Sequence, residues 1–226
     1  MSIPSFHYFD ARNIAEVCRI LMHLGGMEFQ DVRYPFVCKP EGGLDAPEFH
    51  AAIENGELTG NMDRLPVLEI DGIRIGQSRS IERFISNKCH LMGKTEIERG
   101  LIDCITENIR DIRDKWNKIK WMPEGEEKTK LIQNWFHEGG YAQWLVKLEK
   151  SLPKSLGDED YAVGDQISLA DVTIWHLLSE FYGTYAEEAK AAEIKASCVR
   201  LTSIAKKVAY MEKMKDYLAS RPAAPF

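Results

Sequence analysis

The sequence predicts a small α/β domain followed by an all-helical domain, and three patterns carry that prediction. In the first, Arg64 to Ile85, two apolar runs flank Asp71-Gly72, and a helical pattern of Ile81, Phe84 and Ile85 follows Gln77-Ser78. Asp-Gly between apolar runs is the strongest short-range hairpin signal, so the segment reads as strand, tight turn, strand and helix. In the second, Ile97, Leu101, Ile105, Ile109, Ile112, Trp116 and Ile119 step by three or four residues, the mark of one long amphipathic helix. The third is Ser168-Leu169-Ala170-Asp171, a capping box with Ser168 as N-cap and Asp171 at the third helical position. Val172, Trp175 and Leu178 behind it face a core.

In chain order, Ser5 to Phe9 reads as a first strand. A helix follows with Ile14, Val17, Cys18, Leu21 and Leu24 on one face and Gly25-Gly26 as its stop. Met27 to Tyr34 is a second strand, and Cys38 to Asn61 is polar and Gly-rich with one short helix over Pro47 to Glu54. The hairpin and its helix close a β-α-β-α-β-β-α order, a small open sheet covered by helices. After Cys89-His90-Leu91-Met92-Gly93 the pattern is helical throughout. The long helix is succeeded by one from Glu127 to Ser151 with Pro153 just beyond, then the capped helix, then further helix up to Arg221-Pro222. The expected domains are residues 1–90 and 95–226.

Hydrophobic content of 44% with 28% charged residues is that of an ordinary globular protein. A net charge of -6 argues against nucleic acid as a partner, because phosphate binding needs a basic surface. No apolar run is long enough to span a membrane, and the N-terminus shows no charged-then-apolar leader, so the reading expects a cytoplasmic protein without membrane association. The five cysteines (Cys18, Cys38, Cys89, Cys104 and Cys198) show no paired close spacing and give neither a disulfide framework nor a metal site.

The chemistry concentrates in the first pattern. A helix beginning at Gln77-Ser78 presents unpaired N–H groups and partial positive charge, which favour a carboxylate or phosphate. Pro66 opens a strand where proline is tolerated, and Leu65 before it keeps backbone groups that can pair with an extended peptide. Together these form a device for holding a small anionic peptide. Ser78 alone is explained by helix capping; Gln77 is not.

Three motifs in order carry a resemblance: Tyr8-Phe9 followed by Arg12 and Ala15-Glu16; Leu65-Pro66-Val67-Leu68 with Gln77-Ser78; and the Ser168 to Asp171 cap. Over essentially the whole chain the sequence resembles the cytosolic glutathione transferases of the tyrosine type, most like the sigma class. The resemblance implies a thioredoxin-like first domain, an all-helical second domain holding an electrophile pocket, and a homodimer. It implies glutathione as co-substrate, its thiolate conjugated to small hydrophobic electrophiles. Tyr8 is then the catalytic hydroxyl donor to the thiol, with Arg12 in support. Leu65 and Pro66, joined by a cis bond, hold the cysteinyl part of glutathione, Gln77 and Ser78 the γ-glutamyl end, and Arg64 the glycyl carboxylate. Asp103, Glu107, Asp111 and Asp114 form an acidic face on the long helix, a pattern that solvation alone explains; the resemblance implies that Asp111 of the partner subunit reaches the glutathione amino group.

The chain departs from that pattern in two places. Ile14 stands where sigma-type proteins commonly carry a second arginine, and the longer stretch between Tyr34 and Arg64 offers only Phe49 and His50 for the glycyl end. Trp116, Trp121, Phe181 and Tyr182 are candidates for the electrophile pocket, although aromatics at such spacing also build cores. Relatives on this fold include glutathione-dependent isomerases of the prostaglandin D synthase kind and non-catalytic, crystallin-like proteins, so fold does not fix function.

Overall fold

The computed structural model describes residues 2–39, 43–154 and 161–224. They fall into two compact units, one running to Cys89 and taking in the chain from Asp216 onward, the other spanning His90–Lys215.

The first unit is built on a four-stranded mixed sheet of β1 (Ser5–Phe9), β2 (Gln30–Tyr34), β5 (Val67–Ile70) and β6 (Ile73–Gly76), in the order β2-β1-β5-β6. β1 runs parallel to β2 and antiparallel to β5, and β5 is antiparallel to β6. This is the thioredoxin-like arrangement expected. Asp71 and Gly72 both take positive φ, 50° and 76°, so a two-residue turn with the twist of the strands closes the hairpin at Ile70–Ile73. The short helix α2 (Pro47–Glu54) lies where the sequence placed it. Two-residue strands β3 (Val37–Cys38) and β4 (Leu44–Asp45) form a small ladder of their own that the sequence does not announce.

Helix α1 (Glu16–Leu24) is buried on nearly every side, not on one face. Ile14, expected on its apolar face, lies in the preceding 3₁₀ turn (Asn13–Ala15) and is 40% exposed. Glu16 and Arg19, both fully enclosed, are kept by ion pairs. Arg19 Nε meets Asp31 Oδ1 at 3.1 Å, its Nη1 donates to the Ala11 carbonyl at 2.7 Å, and Glu16 takes Arg221 at 2.6 Å. Arg221 and Tyr217, whose ring lies 5.3 Å from that of His23, bring the C-terminal segment onto the first unit, where the sequence assigned it to the second. Arg19 Nη1 also lies 3.7 Å from Glu16 Oε2, so removing Arg221 takes away the closer of two cations beside this buried carboxylate. Arg221→Ala is therefore expected to destabilise the protein by about 1.5–3 kcal/mol, the range for a hydrogen bond to a charged group, with Arg221→Lys recovering part of the loss in a denaturant titration.

The second unit is all helical: α3 (Ser78–Lys88) ends the first unit, and α4 (Glu96–Lys120), α5 (Glu126–Phe136), α6 (Gly140–Ser151), α7 (Leu169–Ser179), α8 (Ala186–Ala196) and α9 (Val199–Tyr210) follow, with α10 (Glu212–Ser220) after them. The long helix is present as expected, although its buried stripe begins at Ile102 while Ile97 is exposed. The single helix expected over Glu127 to Ser151 is two helices, parted at Gly139, whose φ of 99° no helix accommodates. At α7 the capping box forms as read. Trp116, Trp135, Phe136, Tyr141 and Tyr182 form a buried aromatic cluster, with Trp116 and Phe136 ring centroids 4.9 Å apart. Trp116 and Tyr182 thus belong to the core of this unit, while Trp121 is 70% exposed. No helix among the described residues is long and apolar enough to cross a membrane.

Candidate active site

Tyr8 sits on β1, the strand that joins both halves of the sheet. Its neighbour His7 pairs with Val67, so continuing the register by one residue sets Tyr8 level with Pro66. Alternation along the strand turns Phe6 and Tyr8 to one face, both buried. The guanidinium of Arg19 lies 5.7 Å from the Phe6 ring centroid and 5.9 Å from that of Tyr8. Burial pushes the Tyr8 hydroxyl up to about 12, against a smaller opposing pull from Arg19. The phenol therefore stays protonated across the physiological range and is available as a donor.

The Leu65–Pro66 bond is cis, as the resemblance implies. Leu65 is partly exposed while Pro66 is buried, so the chain meets the surface immediately before β5. Helix α3 begins one residue earlier in capping terms than a serine N-cap would have it: Gln77 is the N-cap and Ser78 the first helical residue. Gln77 takes φ 68° and ψ 116°, a conformation that a non-glycine residue holds only where its surroundings impose it. It makes no side-chain cap, so the first-turn N–H groups of α3 lack that intrahelical acceptor and are set to receive an anion. Cys18 on α1 donates weakly to the Ser78 carbonyl across 3.8 Å, so α1 touches both the helix start and, through Arg19, the Tyr8 ring.

The remaining sequence candidates are more scattered. Arg64 is exposed, its Nε 3.4 Å from the Asn61 carbonyl. Arg12 is half-buried at the turn leading from β1, its carbonyl accepting from Ala15 N–H. Phe49 packs against Phe9 and Tyr34, with centroids 5.0 and 6.3 Å away, and so serves the core under α2, with His50 exposed beside it. Asp111 is exposed on α4 in the second unit, where with Asn108, Trp144, Lys147 and Ser151 it lines a cavity of about 240 Å³. Cys18 and Cys198 are buried thiols, both pushed up in pKa chiefly by burial, and neither has the character of a nucleophile. No cluster of His, Cys, Asp or Glu among the described residues is arranged to hold a metal ion.

Sequence reasoning missed two residues. Arg19 was hidden inside a helix read as apolar on one face. Asn61, only 5% exposed, sat in a stretch read as irregular loop.

A thioredoxin-like sheet with a buried tyrosine on its first strand, a cis-proline edge and a helix start without a side-chain cap is joined here to an all-helical unit. The chain belongs to the glutathione S-transferase family, transferases with glutathione as co-substrate: residues 4–87 match the N-terminal domain of that family and residues 110–221 its C-terminal domain. It is 34% identical to mouse glutathione S-transferase A2 over 193 residues, 84% of this chain and 76% of that protein. Against rat glutathione S-transferase alpha-1 the identity is 31% over 219 residues, 95% of this chain and 87% of that protein. Among solved structures, the glutathione S-transferase of Ascaris lumbricoides superposes with a TM-score of 0.74 at 25% identity, covering 100% of both chains. The sigma class enzyme of Fasciola hepatica shares the fold, with a TM-score of 0.75 at 23% identity and 99% of each chain covered.

Proposed function

We propose that the protein conjugates the glutathione thiolate to small hydrophobic electrophiles, with Tyr8 as the hydroxyl that holds the thiolate. The observation that carries this reading is the buried, protonated Tyr8 level with the cis-proline edge. A thiol of pKa about 8.5 is only about 3% ionised at pH 7, and the thiolate is the nucleophile. A charge-assisted hydrogen bond contributes about 1.5–3 kcal/mol, which corresponds to about one to two units of pKa at 1.36 kcal/mol per unit. One donor hydroxyl therefore supplies a large part of the roughly two-unit shift that makes the thiolate the major form.

Leu65 pairs its backbone with the cysteinyl residue of glutathione beside Pro66, and Gln77 and Ser78 take the γ-glutamyl end at the start of α3. Arg64, exposed beside that edge, meets the glycyl carboxylate, and Arg12 supports Tyr8 from the turn after β1. Where Ile14 replaces a second arginine, the buried Arg19 against the Tyr8 ring supplies positive potential in its place. The protein works as a cytoplasmic homodimer, and Asp111 of the partner subunit reaches the glutathione amino group. We read it as tyrosine type and nearest to sigma from its Tyr8 and Gln77-Ser78 context; the 34% identity to an alpha-class relative favours an alpha-like alternative.

The test is retention on immobilised glutathione followed by turnover of chlorodinitrobenzene. Both are expected, with Ser78→Ala weakening retention; passage through the column without retention would sink the reading. A cross-linked or sedimenting monomer at micromolar concentration would remove the role given to Asp111 of the partner subunit.

A further inference from the structure

Between the cis-proline edge and the start of α3 lies one buried side chain, Asn61, and three hydrogen bonds converge on it. Its Nδ2 donates to the carbonyls of Arg64 and Pro66, each at 3.0 Å, and its Oδ1 accepts from Gln77 Nε2 at 3.2 Å. The two carbonyls only accept, so the nitrogen of Asn61 must face them and its oxygen must face Gln77. An amide oxygen in turn only accepts, so Gln77 must turn its Nε2 inward. That leaves its carbonyl end, Oε1, as the outward group of an exposed side chain.

We propose that Asn61 is a positioning residue that fixes the polarity of the Gln77 amide, making Gln77 an acceptor for the ammonium group of the γ-glutamyl residue while the start of α3 receives its carboxylate. This rests on the glutathione reading above. One residue ties the two halves of the peptide clamp together: the amide whose Oδ1 orients Gln77 also holds, through its Nδ2, the carbonyls on either side of Leu65. Gly76 is the second observation. A Cβ placed there would overlap Asn61 Cβ and Cγ and lie 2.6 Å from Oδ1, so the absence of a side chain at Gly76 makes room for the amide. The positive φ of Gln77 immediately follows Gly76, and the inward Nε2 bond is what the side chain gains in that conformation.

The experiment compares, by calorimetric titration, glutathione with its analogue lacking the α-amino group, on the wild type, Asn61→Ala and Gly76→Ala. On the wild type the deamino analogue is expected to bind ten-fold or more weakly. In both variants that ratio is expected to shrink by three-fold or more, because the amide no longer presents a fixed acceptor; a general loss of stability would weaken both ligands alike. If Asn61→Ala does not fold by circular dichroism, Gly76→Ala carries the test. An unchanged ratio in a folded variant, or equal binding of the two ligands by the wild type, overturns the assignment and leaves glutathione binding standing. A wild type that binds neither ligand overturns both.

Discussion

Tyr8→Phe is expected to lower kcat/KM at neutral pH by ten-fold or more while the unfolding midpoint barely moves. The substitution removes one hydroxyl and keeps the ring that packs beside Phe6 over Arg19. Losing a charge-assisted hydrogen bond of about 1.5–3 kcal/mol returns the bound thiol most of the way to about 8.5, and the ionised fraction at pH 7 falls accordingly. The change belongs to the thiol, so the rising limb of the pH–rate profile moves up by one to two units, and at pH 9 the variant recovers much of its rate. Ultraviolet titration of the enzyme-bound thiolate reads the shift directly. Turnover unchanged at pH 7, or a loss that persists undiminished at pH 9, rules out the donor role.

Asp171→Ala is expected to cost about 3–5 kcal/mol of stability, a large part of what a domain of this size holds. Asp171 is fully buried, its Oδ1 accepting from Ala162 N–H at 2.7 Å and its Oδ2 from the N–H and hydroxyl of Ser168 at 2.8 and 2.5 Å. Alanine leaves two buried N–H groups without an acceptor, each costing about 1–3 kcal/mol, and removes half of the capping box. The carboxyl is subject to opposing effects: burial raises it to about 6, and the bonds from Ser168 and Ala162 pull it down by less. With the folded value above the ordinary 3.8, its ionised form is the disfavoured one in the native state. Its contribution to stability is thus fullest below about pH 4 and is lost as pH rises through about 6. Denaturant midpoints of the wild type and Asp171→Asn across pH 4 to 7 test the sign, the asparagine variant lacking that slope.

What could be read from the sequence was what local chemistry decides. Ser5–Phe9 and Pro47–Glu54 lie at the limits expected, because alternation and an N-terminal proline are local signals. Asp71-Gly72 dictates its own turn, and Ser168 with Asp171 dictates its own cap. Tyr8, Leu65, Pro66, Gln77 and Ser78 were singled out by motif, and the structure carries them on adjoining elements of one unit. Features set by distant partners were not legible. β3 and β4 are too short for any period to show. The helix expected from Glu127 onward hid a break because its apolar spacing continues across Gly139. Arg19 and Asn61 look like an ordinary helical cation and a loop amide until Asp31, Ala11, Pro66 and Gln77 are brought to them from elsewhere in the chain.

The bond between Glu16 and Arg221 joins residues 205 positions apart. At the pace of a ribosome, about 5–20 residues per second, about 10–40 s pass between their emergence. Throughout that interval Glu16 has Arg19 3.7 Å away on its own helix but lacks its closer cation, Arg221. Residues 90–215 have meanwhile been delivered complete, with their own aromatic core. The unit translated first is therefore the one finished last, and a nascent chain stalled before Arg221 has the whole second unit but a first unit that still lacks one of its internal ion pairs.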